Sequence, residues 1–161
     1  MQHYKNLMKK IILIGRSESG KTTLIQALKG KKIHYHKTQY VNQFDVVIDT
    51  PGEYCETKGF GAALAMYTYE AQVVGLVISA SEPYSLFPPC CAVMANRPVI
   101  GIITKTDCPG ANPQRAAAWL RLAGCGSIFY TSSYNNDGIA EILGYLKEDG
   151  DILPWEQDRK E

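Results

Sequence analysis

Eight consecutive residues, Gly15-Arg16-Ser17-Glu18-Ser19-Gly20-Lys21-Thr22, match the phosphate-binding pattern G-x-x-x-x-G-K-[ST] at every fixed position. In that pattern a turn of successive backbone N–H groups and the positive end of a helix dipole converge on an anion. The residues expected around the phosphates are Gly15, Ser17, Glu18, Ser19, Gly20, Lys21, Thr22 and Thr23. Lys21 supplies a point charge for β- and γ-phosphates, a catalytic role, and the Thr22 hydroxyl can replace a water on Mg²⁺. Ser17 fills a position where a small glycine would leave more room near a γ-phosphate. Arg16 and Glu18 are expected to form a solvated edge.

Asp49-Thr50-Pro51-Gly52 is a D-x-x-G string, as accompanies a phosphate loop in Ras-like GTPases. Its carboxylate at a strand tip holds Mg²⁺, and its glycine N–H approaches the γ-phosphate. Asp49, Thr22 and Thr38 are therefore the candidate metal ligands. Thr38 lies between Lys21 and Asp49, where a loop threonine is required. Glu53 follows at the position that orients attacking water in such hydrolases. A glutamate can accept that water's proton but cannot donate to the phosphate, so intrinsic hydrolysis is expected to be slow. Alternatively Glu53 faces solvent and caps the next element.

Thr104-Lys105-Thr106-Asp107 resembles N-K-x-D, with Thr in place of Asn. The Asp107 carboxylate can accept from guanine N1–H and its 2-amino group, donors that adenine lacks. Thr104 is shorter than Asn and is expected to weaken base discrimination or the rigidity of the loop. Thr131-Ser132-Ser133 stands where a backbone N–H would meet guanine O6, which makes Ser132 and Ser133 candidates. By composition alone these three are also ordinary strand terminators.

These groups need strands to carry them and helices to cover the strands. Lys10–Ile14 reads as a buried strand, and Thr22 to Gly30 as a helix closed by glycine. Lys31 to Thr38 reads as a loop. Only ten residues separate Thr38 from Asp49, fewer than the roughly twelve of two average strands and a tight turn, so any hairpin there is stunted. Phe44–Asp49, Val73–Ser79, Pro98–Thr104 and Ser127–Thr131 read as further strands. Gly59–Ala71 reads as a helix despite its glycines. Pro83, Pro88 and Pro89 forbid a long helix and leave a short turn at Cys90–Ala95. Asn112 caps a helix that Pro113 opens and Gly124 ends. Asp137 is expected to cap a last helix to about Glu148. This alternation predicts a single three-layer α/β/α domain over residues 1–148, with a mainly parallel sheet of five to six strands and ligands at the strands' carboxyl ends. Residues 149–161 form a charged tail containing Leu153-Pro154-Trp155, either a mobile end or a short docking peptide.

Seventeen basic and sixteen acidic residues among 161 leave a formal charge of +1, which gives no general attraction to nucleic acid or anionic membrane. The five cysteines form no C-x-x-C pair or zinc-ligand spacing and read as reduced thiols in a cytosol. Adjacent Cys90 and Cys91 are poorly placed to bridge and are expected to be buried. His34 and His36 could share a metal in an extended segment, but no third ligand is evident. The first ten residues lack a signal-peptide core, and no apolar run approaches the ~20 residues of a membrane span. A cytoplasmic protein is expected.

Gly15–Thr22, Lys37-Thr38-Gln39, Asp49-Thr50-Pro51-Gly52-Glu53-Tyr54 and Thr104–Asp107 together resemble the EutP/PduV family, small Ras-like P-loop proteins of bacterial microcompartments for ethanolamine and propanediol utilisation. The resemblance implies a Ras-like fold, binding of Mg²⁺ and of GTP or GDP with ATP as the alternative, and a place at or near a microcompartment with shell or cargo proteins as partners. It also leaves three activities open: a slow GTPase or switch, a phosphotransferase to a small carboxylate such as acetate, and a scaffold whose nucleotide is structural.

Overall fold

Ile11 to Ile14 form a strand with no side chain in contact with water, which is why a continuous apolar tetrad rather than an alternating one is found there. The computed structural model describes residues 9–16, 18–36, 47–49, 71–132, 135 and 137–147. In chain order the elements are β1 (Ile11–Ile14), α1 (Lys21–His36), β2 (Val47–Asp49), β3 (Val73–Ser79), a 3₁₀ turn (Cys91–Met94), β4 (Val99–Thr104), α2 (Pro113–Ala123), β5 (Ser127–Tyr130) and α3 (Ile139–Leu146).

The described strands make one five-stranded sheet, ordered β2-β1-β3-β4-β5 and parallel at every pairing. The chain passes from β1 outward to β2 and then returns to the other side of β1 for β3. The sheet's direction of growth therefore reverses at β1, and the loop leaving β1 opens at that switch point, where α/β sheets bind ligands.

Alternate side chains feed two cores. Ile12, Ile14, Leu76 and Ile78 pack with Ala116, Ala117, Leu120 and Ala123 of α2 and with Cys91 of the 3₁₀ turn. Ile11, Leu13, Val77 and Ile102 pack with Leu24 and Leu28 of α1 and with Ile139, Ile142, Leu143 and Leu146 of α3. The expected three layers are thus present. α2 also begins and ends as read from the sequence. The Asn112 side chain accepts from the Arg115 N–H at 3.0 Å, and Gly124 closes the helix with φ 101°.

Two boundaries differ. α1 does not stop at Gly30 but continues to His36, so most of the expected loop from Lys31 is helical. A glycine costs a helix about 1 kcal/mol relative to alanine, which a following run free of proline can absorb. The extended segment that a His34–His36 metal site would need is therefore absent. Asp137 does not cap the last helix; Gly138 holds the N-cap, and the first helical residue is Ile139. The Asp137 backbone is instead engaged with Ser132, donating to its carbonyl at 3.0 Å and accepting from its N–H at 3.2 Å. The helix expected at Gly59 and the tail after residue 148 lie outside the described residues. Among those described, no helix is long and apolar enough to cross a membrane.

Candidate phosphate-loop site

β1 delivers Gly15 to its carboxyl end, and α1 begins at Lys21, so the loop spans a strand tip and a helix N-terminus. Gly15 sits too close to β3 for any side chain. A Cβ there would lie 2.7 Å from the Val77 carbonyl oxygen and 2.9 Å from Ser19 Oγ. Glu18 and Gly20 turn the loop through left-handed conformations, φ 64° and 85°, the second costless only for glycine. Lys21 is buried, and its Nζ donates to the Gly15 carbonyl at 3.3 Å. The first and seventh residues of the motif are thereby held together. Thr22 and Thr23 are exposed on the first turn of α1.

Ser19 plays a part that its type does not announce. Its N–H donates to the Arg16 carbonyl at 3.3 Å, and its hydroxyl is enclosed with no hydrogen-bond partner among the described residues. Its carbonyl accepts from the hydroxyl of Thr104 at the carboxyl end of β4. The neighbouring Glu18 carbonyl accepts from Lys105 Nζ at 2.9 Å. The threonine therefore does not leave the loop untied, as its shortness suggested; a close approach of β4 to Gly20, whose Cβ position lies 3.0 Å from Thr104 Oγ1, brings the short hydroxyl into reach.

The third predicted segment joins through Thr106. Its hydroxyl donates to the Thr131 carbonyl at 3.0 Å, and the Thr131 hydroxyl donates to the Ile103 carbonyl at 2.9 Å. Ser132 is buried beside them, while Asp107 is exposed. Gly15, Glu18, Ser19, Gly20, Lys21, Thr22, Lys105 and Asp107 thus lie on segments that meet at one end of the sheet. Asp49 reaches the same end, since it pairs with Leu13 in the register of β1 and β2. Ser17, Thr38, Gly52, Glu53 and Ser133 lie outside the described residues.

One further group at this end belongs to no motif. Glu82, just past β3, is buried and accepts from the Ser79 N–H at 3.1 Å. Burial raises its carboxyl above the ordinary range, opposed by the Ser79 hydrogen bond and then by the charges of Arg16 and Lys105. Arg115 of α2 donates to the Glu82 carbonyl at 2.8 Å. Arg16 is not a freely solvated edge, because its guanidinium lies 5.1 Å from the centre of the Tyr84 ring. Glu18 is exposed, as expected. The only sequence signal for Glu82 was a carboxylate directly after a core strand, which is too common to single out.

The donor set suits a hard cation bound with a polyphosphate. The hydroxyl of a threonine such as Thr22 and the carboxylate of an aspartate such as Asp49 are oxygen donors of the type Mg²⁺ takes when it keeps waters and bridges phosphates.

A family model described as PduV-EutP, "Ethanolamine utilisation - propanediol utilisation", matches residues 8–148. The chain is 43% identical over 142 residues to the propanediol utilization protein PduV of Citrobacter freundii, covering 86% of this chain and 93% of that one. It is 31% identical to the probable acetate kinase EutP of Escherichia coli, covering 86% of this chain and 89% of that one. A 121-residue stretch is 31% identical to translation initiation factor IF-2 of Gluconacetobacter diazotrophicus, covering 65% of this chain and 13% of that much longer one.

Proposed function

We propose, proceeding from the fact that this chain belongs to the PduV-EutP family, that it is a Mg²⁺-dependent guanine-nucleotide-binding protein, a slow GTPase or switch, acting with a microcompartment for propanediol- or ethanolamine-type metabolism in the cytoplasm. The observation that carries this reading is the pair of ties from Thr104 and Lys105 to the carbonyls of Ser19 and Glu18. They lock a base-reading segment to a phosphate-reading loop, a coupling that a glycine-rich turn with no ligand would not need. Residues 1–148 form the nucleotide-binding domain in this reading.

Within it the amides from Gly15 to Thr23 cradle the phosphates, and Lys21 neutralises charge on the β- and γ-oxygens. Thr22, Asp49 and Thr38 would hold Mg²⁺, which supplies neutralisation of charge on the phosphate oxygens. Gly52 senses the γ-phosphate, and Glu53 orients water poorly. Asp107 reads guanine, with Ser132 and Ser133 beside the base. Shell or cargo proteins of the microcompartment are the partners whose contact the bound nucleotide would control.

Titration with labelled GDP, GTP, ADP and ATP in Mg²⁺ tests this. Guanine nucleotides should bind the wild type. Lys21→Ala should weaken GTP by about 10- to 100-fold, the worth of a charge-assisted contact of roughly 1.5–3 kcal/mol. Asp107→Ala should erase the preference over adenine. Unchanged GTP affinity in Lys21→Ala would refute the reading.

A second reading is favoured by one observation, the 31% identity over 86% of this chain to proteins called probable acetate kinase. Here a γ-phosphoryl group passes from the nucleotide to a carboxylate oxygen of acetate, leaving a nucleoside diphosphate and acetyl phosphate. Acetate-dependent acetyl phosphate formation, abolished in Lys21→Ala, would select it over the switch.

A further inference from the structure

The end of the sheet opposite the phosphate loop carries an open groove of about 340 Å³ where β4 and β5 begin. Its walls are Ala92 and Val93 of the 3₁₀ turn, Pro98 and Val99 entering β4, and Tyr145 of α3, with Arg97 as the one charged lining residue. Beside it the surface is unusually apolar: Val93 is 81% exposed and Met94 60%, with Leu122 at 58% on α2. The 3₁₀ turn that carries Val93 and Met94 is fixed rather than loose, since the Cys90 N–H donates to the Leu122 carbonyl at 2.8 Å. The groove is mixed in character, with Ser127 and Arg97 beside its apolar walls, and a groove rimmed by exposed large apolar side chains marks a binding surface.

What fills it can be argued from the chain itself. Tyr145 lines the groove, and Lys147, two residues on, leaves α3 in an extended conformation. Fourteen residues follow Lys147. The apolar run Ile152-Leu153-Pro154-Trp155 starts five residues away, a reach of roughly 17 Å in extended chain. Residues 149–161 carry five acidic and two basic side chains, opposite in sign to Arg97. Lys9 is also at this end, its N–H donating to the Leu146 carbonyl, so the segment before it is the other candidate. That segment brings Lys5 and no acidic residue, the wrong charge beside Arg97.

We propose that Ile152–Trp155 of the chain's own C-terminal tail occupies this groove, its acidic flanks complementing the charge of Arg97. The tail then covers surface that would otherwise be exposed, and a competitor of the same kind, a short acidic peptide with an aromatic anchor, could displace it. This inference is independent of what the phosphate loop binds.

The chain has two tryptophans, so Trp119→Phe leaves Trp155 as the sole indole reporter. In that full-length background, acrylamide quenching of Trp155 should be severalfold slower than in the isolated 149–161 peptide, at every protein concentration. Val93→Asp and Arg97→Glu alter exposed positions and should each return quenching toward the peptide value. High salt should do so partly, because the Arg97 contribution is screened. Quenching as fast as in the free peptide overturns the proposal. So does protection that grows with protein concentration, which would mean a neighbour's tail, and so does protection that survives both substitutions, which would put the tail elsewhere.

Discussion

The hydroxyl of Thr104 donates to the backbone carbonyl of Ser19 across the crossing from β4 to the phosphate loop, a contact buried at both ends. A valine at 104 keeps the shape and removes the donor, leaving a buried carbonyl unsatisfied at a cost on the order of 1–3 kcal/mol. Thr104→Val should therefore lower unfolding stability by that amount and weaken nucleotide affinity by about tenfold or more, whereas Thr104→Ser should retain most of both. Urea unfolding and a nucleotide titration of the two variants decide the matter. Equal behaviour of valine and serine would mean that the contact contributes nothing.

Glu82 gives stability a pH dependence with a definite sign. Its folded-state carboxyl is raised above the ordinary 4.5 by burial. Below that ordinary value both states are protonated at this site and no penalty applies. As pH rises from 4.5 through the folded value, the unfolded chain ionises first and stability declines, remaining lower above the window. Glu82→Gln keeps an oxygen for the Ser79 N–H and removes the ionisation. Its stability relative to wild type should climb as pH passes through the window, measured by urea unfolding between pH 4 and 8 (about the range over which a shifted carboxyl titrates). A relative stability that falls over the same range would contradict this.

That the described motif segments meet at one end of the sheet is legible from spacing, because each motif has its own fixed residues and follows a strand of a parallel sheet. The Asn112–Gly124 helix was legible for the same reason: its cap, its opening proline and its closing glycine are local signals. The rest depends on non-local geometry. Thr104 looked too short for its task because the sequence does not state how closely β4 approaches Gly20. Gly30 reads as a stop by its residue type alone, whereas the residues after it continue the helix. Asp137 looked like a cap, but its backbone is bound to Ser132, a pairing that only the folded loop defines. Glu82 acquires its shifted carboxyl from burial, which a carboxylate placed after a core strand does not announce.

The cysteines should divide by burial. Cys125 is pushed up to about 12 by burial, with the Cys91 thiol a smaller contribution, so at pH 8 it stays a thiol. Cys91 is buried, Cys108 half-buried and Cys90 exposed. Burial, expected for both adjacent cysteines, thus holds for Cys91 alone. Brief treatment of the native protein with iodoacetamide, followed by mass spectrometry, should find Cys90 alkylated and Cys91 and Cys125 spared until urea is added. Native labelling of Cys125 as fast as Cys90 would mean that this core opens readily.

Two glycines in the last helix region should respond oppositely to alanine. Gly138 is the N-cap of α3 with φ 76°, and a Cβ there would meet the Tyr130 carbonyl oxygen at 2.1 Å. The left-handed conformation alone costs an alanine about 1–2 kcal/mol, and a backbone oxygen cannot rotate aside, so Gly138→Ala should cost at least about 2 kcal/mol and lower Tm by roughly 4 °C or more. Gly144 lies inside α3, is exposed, and has nothing within 4 Å of its Cβ position. There alanine restricts the unfolded chain and favours the helix by about 0.5–1 kcal/mol, so Gly144→Ala should raise Tm by roughly 1–4 °C. Because Gly138 also adjoins the Ser132–Asp137 bridge beside the segment proposed to read the base, its alanine variant should weaken guanine nucleotide binding, while Gly144→Ala leaves it unchanged. Thermal unfolding and titration of both variants would refute the account of this corner if the two shifted Tm in the same direction.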